Sequence, residues 1–132
     1  MIRKGYILIE TLISVVILSV GLTLVMNALG SEIHALRISK NYTHASILLE
    51  EKLAEIEKEG GIDLINRWKE GENTGDFKDE YANFHWKIFI QRLQDKKGKS
   101  TNLMEVTVTI WWDELGIKRE LFTTLYLPII SQ

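Results

Sequence analysis

The chain of 132 residues contains no cysteine. Disulfide scaffolds, thiolate metal sites and cysteine nucleophiles are therefore excluded, although the compartment stays open. Proline occurs once, at Pro128, which leaves no Pro-rich linker, and no internal repeat or low-complexity tract is present. No glycine-rich phosphate loop can be found. The three histidines, His34, His44 and His85, are scattered, and the ten-residue spacing of the first two does not bring them onto one helix face. No carboxylates cluster around them, so no metal site is expected. Asp76, Asp79 and Glu80 could offer oxygens to calcium from a loop, but they lack the alternating ligand series of a dedicated site and read first as solvated charge. Ser14, Ser19 and Ser31 lie in or beside an apolar stretch with no base nearby. Trp68, Trp86, Trp111 and Trp112 read as core or interface residues. The expectation is a protein that is not an enzyme and uses no cofactor. With 16 basic against 18 acidic residues and no basic block, no nucleic-acid partner is expected either.

Charge is also missing in a more local way. Residues 1–30 carry only Arg3, Lys4 and Glu10, while residues 31–132 hold the other 14 basic and 17 acidic side chains. From Tyr6 to Gly30 the chain reads YILIETLISVVILSVGLTLVMNALG, apolar on every face of a helix. Residues 7–30 would extend about 36 Å as a helix, enough to cross a hydrocarbon core of roughly 30 Å. The run is too long for the apolar core of an ordinary cleaved secretory signal, and it lacks a small-x-small cleavage site. Arg3, Lys4 and the α-amine flank its start, which places the N-terminus in the cytoplasm and residues 31–132 outside. Glu10 does not belong in an ordinary anchor. An acidic side chain facing lipid costs about 2.5–3.5 kcal/mol at a helix centre and less near the interface. Either it reaches the headgroup level, or a cation from another chain meets it.

The segment Lys4-Gly5-Tyr6-Ile7-Leu8-Ile9-Glu10, followed by about twenty apolar residues, resembles the class III signal of type IV pilins and type II secretion pseudopilins. In that family a short basic leader ends in Gly, an aromatic or apolar residue follows, and Glu is the fifth residue after the cut. The stretch from Ile9 to Leu22 is especially similar to minor pilins of the pilus-modification V type. The resemblance implies cleavage between Gly5 and Tyr6 by a prepilin peptidase, N-methylation of Tyr6, and assembly of the helix into a filament through Glu10. Gly5 suits a protease because no side chain obstructs the backbone. Three departures are visible: Tyr6 replaces the usual Phe, Leu8 stands where Thr is common, and Met26-Asn27 stand where many members have a kinking Pro. Gly21 and Gly30 are the candidates for local softness.

Beyond Gly30, Ile33, Leu36, Tyr42, Ala45, Leu49, Leu53 and Ile56 form one stripe of a helix, and Gly60-Gly61 is a strong stop. Either one helix runs from about Tyr6 to Glu59, or two helices meet at Gly30. Residues 84–93, 103–112 and 117–127 alternate apolar and polar side chains as half-buried strands. Their inward faces are Phe84, Trp86, Ile88 and Ile90; Met104, Val106, Val108, Ile110 and Trp112; and Ile117, Leu121, Leu125 and Leu127. Gln94–Thr101 and Asp113–Gly116 read as hairpin connections. Residues 62–81 read as irregular, with Ile62, Leu64, Ile65 and Trp68 suggesting one short helix. The order of helix then meander, with Gly75-Asp76-Phe77 before the first strand, also resembles minor pseudopilins of the I type, more weakly than the N-terminal motif.

The expected organisation is an α+β, pilin-like fold: a leader at 1–5, a membrane and filament-core helix at 6–30, and an extracytoplasmic domain at 31–132. Within that domain a helix at 31–59 precedes a variable loop at 60–83 and a three-stranded antiparallel meander at 84–127. The expected role is a minor pilin or pseudopilin of the tip or priming complex. Its expected partners are the prepilin peptidase, other major and minor subunits, the inner-membrane assembly platform and membrane lipid. It would sit in the cytoplasmic membrane as a single-pass protein and then in the filament. The competing reading is a single-pass anchored binding module that never enters a filament.

Overall fold

A computed structural model describes residues 2–129, apart from the side chains of Ile2, Arg3 and Ile62. A helix α1 (Ile2–Arg67) precedes four strands, β1 (Gly71–Asp76), β2 (Phe84–Gln94), β3 (Ser100–Glu114) and β4 (Ile117–Pro128), with a 3₁₀ turn at Asp79–Tyr81. The fold is α+β. By its contacts the chain divides into two compact units, one up to Asn41 and one from Tyr42 onward.

The first unit is helix alone. Gly60 is the one non-helical position inside α1, so the backbone is helical through Gly5, Gly21 and Gly30. Of the two readings at Gly30, continuity prevails, because an isolated Gly costs an otherwise favourable helix only about 1 kcal/mol. Its apolar side chains are open along the whole run, from Tyr6 at 71% to Leu29 at 49% exposure. This is a helix long and apolar enough to cross a membrane. Ile33 and Leu36, expected to start the stripe over the sheet, are 61% and 69% exposed and lie in this first unit.

In the second unit the sheet has the order β1-β2-β3-β4, all pairs antiparallel. Ala45, Leu48, Leu49, Ile56 and Leu64 of α1 meet Phe84, Ile88, Ile90, Met104, Val106, Val108, Ile110 and Trp112 in one core. Edge-on packing of Tyr42 against Trp112, with ring centroids 5.1 Å apart, closes one end. Lys52 falls on the buried stripe between Leu49 and Ile56. Its stem lies under the domain, its ammonium sits 4.7 Å from the Trp86 ring and 3.1 Å from Glu55 Oε2, and only its chemistry hides it from a count of apolar residues.

The expected three-stranded meander is corrected to four strands. β1, with sequence GENTGD, has no apolar side chain to betray it, yet it pairs with β2 from Gly71↔Ile90 to Asp76↔His85. Its cover on the core side comes from the neighbouring strand. A Cβ on Gly75 would lie 2.2 Å from Cζ2 of Trp86, so the indole lies where that side chain would stand. Trp86 also packs edge-on with Trp68, centroids 5.2 Å apart.

The Gly60-Gly61 stop is a kink followed by nearly two more helical turns. Gly60 takes φ 74°, ψ 169°, and the chain resumes helix to Arg67, which bonds Glu59 and reaches Glu55 at 3.4 Å across the kink. At Gly61 the backbone approaches β4 so closely that a Cβ would sit 2.6 Å from the Pro128 carbonyl. That segment buries Leu64. β3 and β4 are joined by Leu115-Gly116, both at positive φ, with Asp113 Oδ1 accepting from the Gly116 N–H at 2.9 Å.

Candidate functional site

The residues singled out in the sequence share the first helical turns of α1. Gly5 is helical, and a Cβ there would meet nothing within 4 Å. Lys4 is exposed beside it, whereas the Arg3 side chain lies outside the described residues. Tyr6, Ile9, Glu10, Ile13 and Ser14 line one shallow groove on the helix surface. The grouping follows from helical spacing, since residues four and seven apart share a face. Tyr6 and Glu10 therefore stand one turn apart on the same side.

Glu10 is the only charged side chain between Lys4 and Glu32. Its carboxylate is exposed, and among the described residues no cation of this chain pairs with it. The hydroxyls of the same segment are treated differently. Thr11, Ser14, Ser19 and Thr23 each donate to the carbonyl four residues earlier, at 2.8 Å in all four cases. Those donors are satisfied inside the helix and need no water, the condition for polar side chains in hydrocarbon. Sequence reasoning noted two of these serines without seeing their role; the signal was position alone, because every Ser or Thr within a helix has a carbonyl four residues behind it. Among the described residues Glu10 has no such internal partner.

Elsewhere the described residues hold no group of three His, Asp or Glu side chains able to bind a metal. Asp76 Oδ1 instead hydrogen-bonds His85 Nδ1 at 2.5 Å, and the His85 ring stacks on Trp111 with centroids 4.1 Å apart. Lys118 Nζ stands 4.8 Å from the Trp111 ring. His44 packs edge-on to Tyr81 at 5.3 Å. The Glu80 carboxylate beside Tyr81, helped by desolvation and by Glu51, raises that phenol above its ordinary range. These pairings tie down the two histidines and Asp76. They were not legible in the sequence, because they depend on strand register from β1 to β4 and on how α1 packs against the 3₁₀ turn.

Comparison with known proteins gives no match to a family model, to a curated protein or to a solved structure.

Proposed function

We propose that the chain is a minor pilin or pseudopilin, a structural subunit cut between Gly5 and Tyr6, methylated on the Tyr6 amine and polymerised through its N-terminal helix. The observation that carries this reading is Glu10: one exposed carboxylate with no cation paired to it among the described residues, on an all-round apolar helix whose hydroxyls are internally bonded. Cutting before Tyr6 frees an ammonium four residues from Glu10 on the same helical face. A neighbouring copy's carboxylate can then neutralise it, and the pair fixes the register of one helix against the next, while Ile7–Leu29 pack by shape. The bare surface at Gly5, with no side chain and no neighbour within 4 Å of a would-be Cβ, suits a peptidase, and Arg3 with Lys4 keeps the leader on the cytoplasmic side. The second unit, from Tyr42 onward, then faces outward and meets other major and minor subunits of a tip or priming complex, built on the inner-membrane assembly platform.

The test is the mass of the N-terminal peptide from the native cell. A peptide starting at methylated Tyr6 supports the proposal. An N-terminus at Met1 or Ile2, in cells with an active prepilin peptidase, supports an anchored binding module instead.

A further inference from the structure

The two edges of the sheet differ in chemistry. β4 joins β3 through twelve consecutive pairs, from Leu103↔Pro128 to Glu114↔Ile117, with no bulge. Among the described residues nothing pairs with its other side. Such a row of free N–H and C=O groups is a template for another strand, and natural edges are usually short, bulged or charged to prevent it. β4 is long and regular, and residues 121–127 carry no charge. Phe122 and Tyr126 stand 63% and 58% exposed on its outer face. The opposite edge, β1, is short and acidic, with Glu72 and Asp76 exposed.

We propose that β4 of one copy pairs with β1 of a second copy of this chain, extending the sheet from molecule to molecule with Lys118 opposite the second copy's Asp76. Symmetry favours this occupant. A four-stranded antiparallel meander leaves β4 and β1 running oppositely, so simple displacement of the domain lays a second β1 antiparallel along β4. Pairing β4 with another β4 needs a two-fold axis along the sheet normal. That axis reverses every direction in the sheet plane, including the axis of the covering helix, and turns the Tyr42 ends of the two copies opposite ways. Simple displacement instead keeps the Tyr42 ends of successive copies pointing the same way. Because so short a contact needs copies confined to one membrane, the proposal rests on the membrane-anchored part of the functional reading, and not on cleavage or on Glu10.

Register follows from face and charge. Even-numbered residues of both strands point to the outer face, so only shifts of two residues keep outer against outer. With Lys118 opposite Asp76, Glu120 meets Thr74 and Phe122 meets Glu72; on the core side Arg119 meets Gly75 and Leu121 meets Asn73. A slip of two in either direction brings Glu120 opposite Glu72 or Asp76, a like-charge pair that is destabilising when directly opposed. About six residues a side is far below the roughly 20–30 of a stable soluble interface. The contact therefore belongs to copies already confined to a membrane, where effective concentration is high.

The absence of cysteine makes the test clean. Purified full-length chains carrying Glu120→Cys or Thr74→Cys, differently tagged, are reconstituted together in phosphatidylcholine vesicles and mildly oxidised. Maleimide labelling of each confirms that the thiols are accessible. The expected result is a mixed disulfide dimer well in excess of either homodimer. Adding Lys118→Glu to the first chain should cut that yield several-fold, and adding Asp76→Lys to the second should restore it. A Glu120→Cys homodimer at equal or greater yield would mean two-fold pairing and overturn the proposal. So would accessible thiols that give no mixed dimer, or a yield indifferent to the charge changes. The N-terminal mass is read separately, so failure here leaves the cleavage reading standing or falling by its own result.

Discussion

Replacing Glu10 by Ala separates the monomer from the assembly. In the single chain Glu10 is exposed and without an ion-pair partner among the described residues, so its loss breaks no ion pair among them. Alanine is also the best helix former and is at ease in lipid, so insertion and cleavage at Gly5 should be unchanged. In the proposed assembly the same substitution would leave a Tyr6 ammonium unpaired in an apolar core. Removing one partner of a buried pair costs about 3–5 kcal/mol. At about 1.4 kcal/mol per tenfold, incorporation near equilibrium should fall by two to three orders of magnitude. Glu10→Gln should be milder, because the amide oxygen still accepts a hydrogen bond. The assay is the ratio of subunit in sheared filaments to subunit in membranes, with processing checked by mass. Equal incorporation of the Ala variant, fully processed, would refute the pairing and return Glu10 to a headgroup-level role.

Other expectations rest on the second unit. A chain lacking residues 1–29 should be soluble and folded, with a cooperative melt followed by circular dichroism, because the core from Ala45 to Trp112 is internal to that unit. Within that fragment Gly75→Ala should lower stability by about 1–3 kcal/mol, since its methyl must displace the Trp86 ring; thermal melts against the parent check it. Leu115→Asn should raise stability by up to about 1 kcal/mol, because Leu115 is exposed at φ 52°, in a turn where Asn-Gly is preferred. In an ultraviolet titration Tyr81 should ionise above the ordinary tyrosine range, and Glu80→Gln should bring it down. With its pKa raised on folding, Tyr81 favours the folded state only while protonated, so this contribution fades as pH climbs through the raised value.

The strands with period-two apolar patterns could be read directly: Met104, Val106, Val108, Ile110 and Trp112 are all buried as their alternation requires. β1 could not. Its inward positions are Gly71, Asn73 and Gly75, and its cover is Trp86 from the adjacent strand, so the information lies in a cross-strand pair and not in the segment itself. The stripe on α1 was legible from Ala45 to Ile56 but was drawn too far back. Ile33 and Leu36 have the right spacing, yet spacing alone does not say where the covering surface ends. Lys52 shows the converse, a charged residue holding a core position by its stem and its aromatic and carboxylate contacts. That Tyr6 and Glu10 share a face was legible because it is local: they stand one turn apart on one helix, with Gly5 beside them in the chain, and no long-range register is needed. The His85–Asp76 pair needed the fold, since nine residues and a strand pairing separate its members.

The central claim is that the first five residues are a leader and that Tyr6 begins the working protein. Mass analysis of the N-terminal peptide, from native cells with and without an active prepilin peptidase, tests it most directly. The account predicts a peptide beginning at Tyr6 and carrying one methyl group when the enzyme is present, and an uncut chain when it is not. Residues 1–5 still attached in the presence of the active enzyme would contradict it.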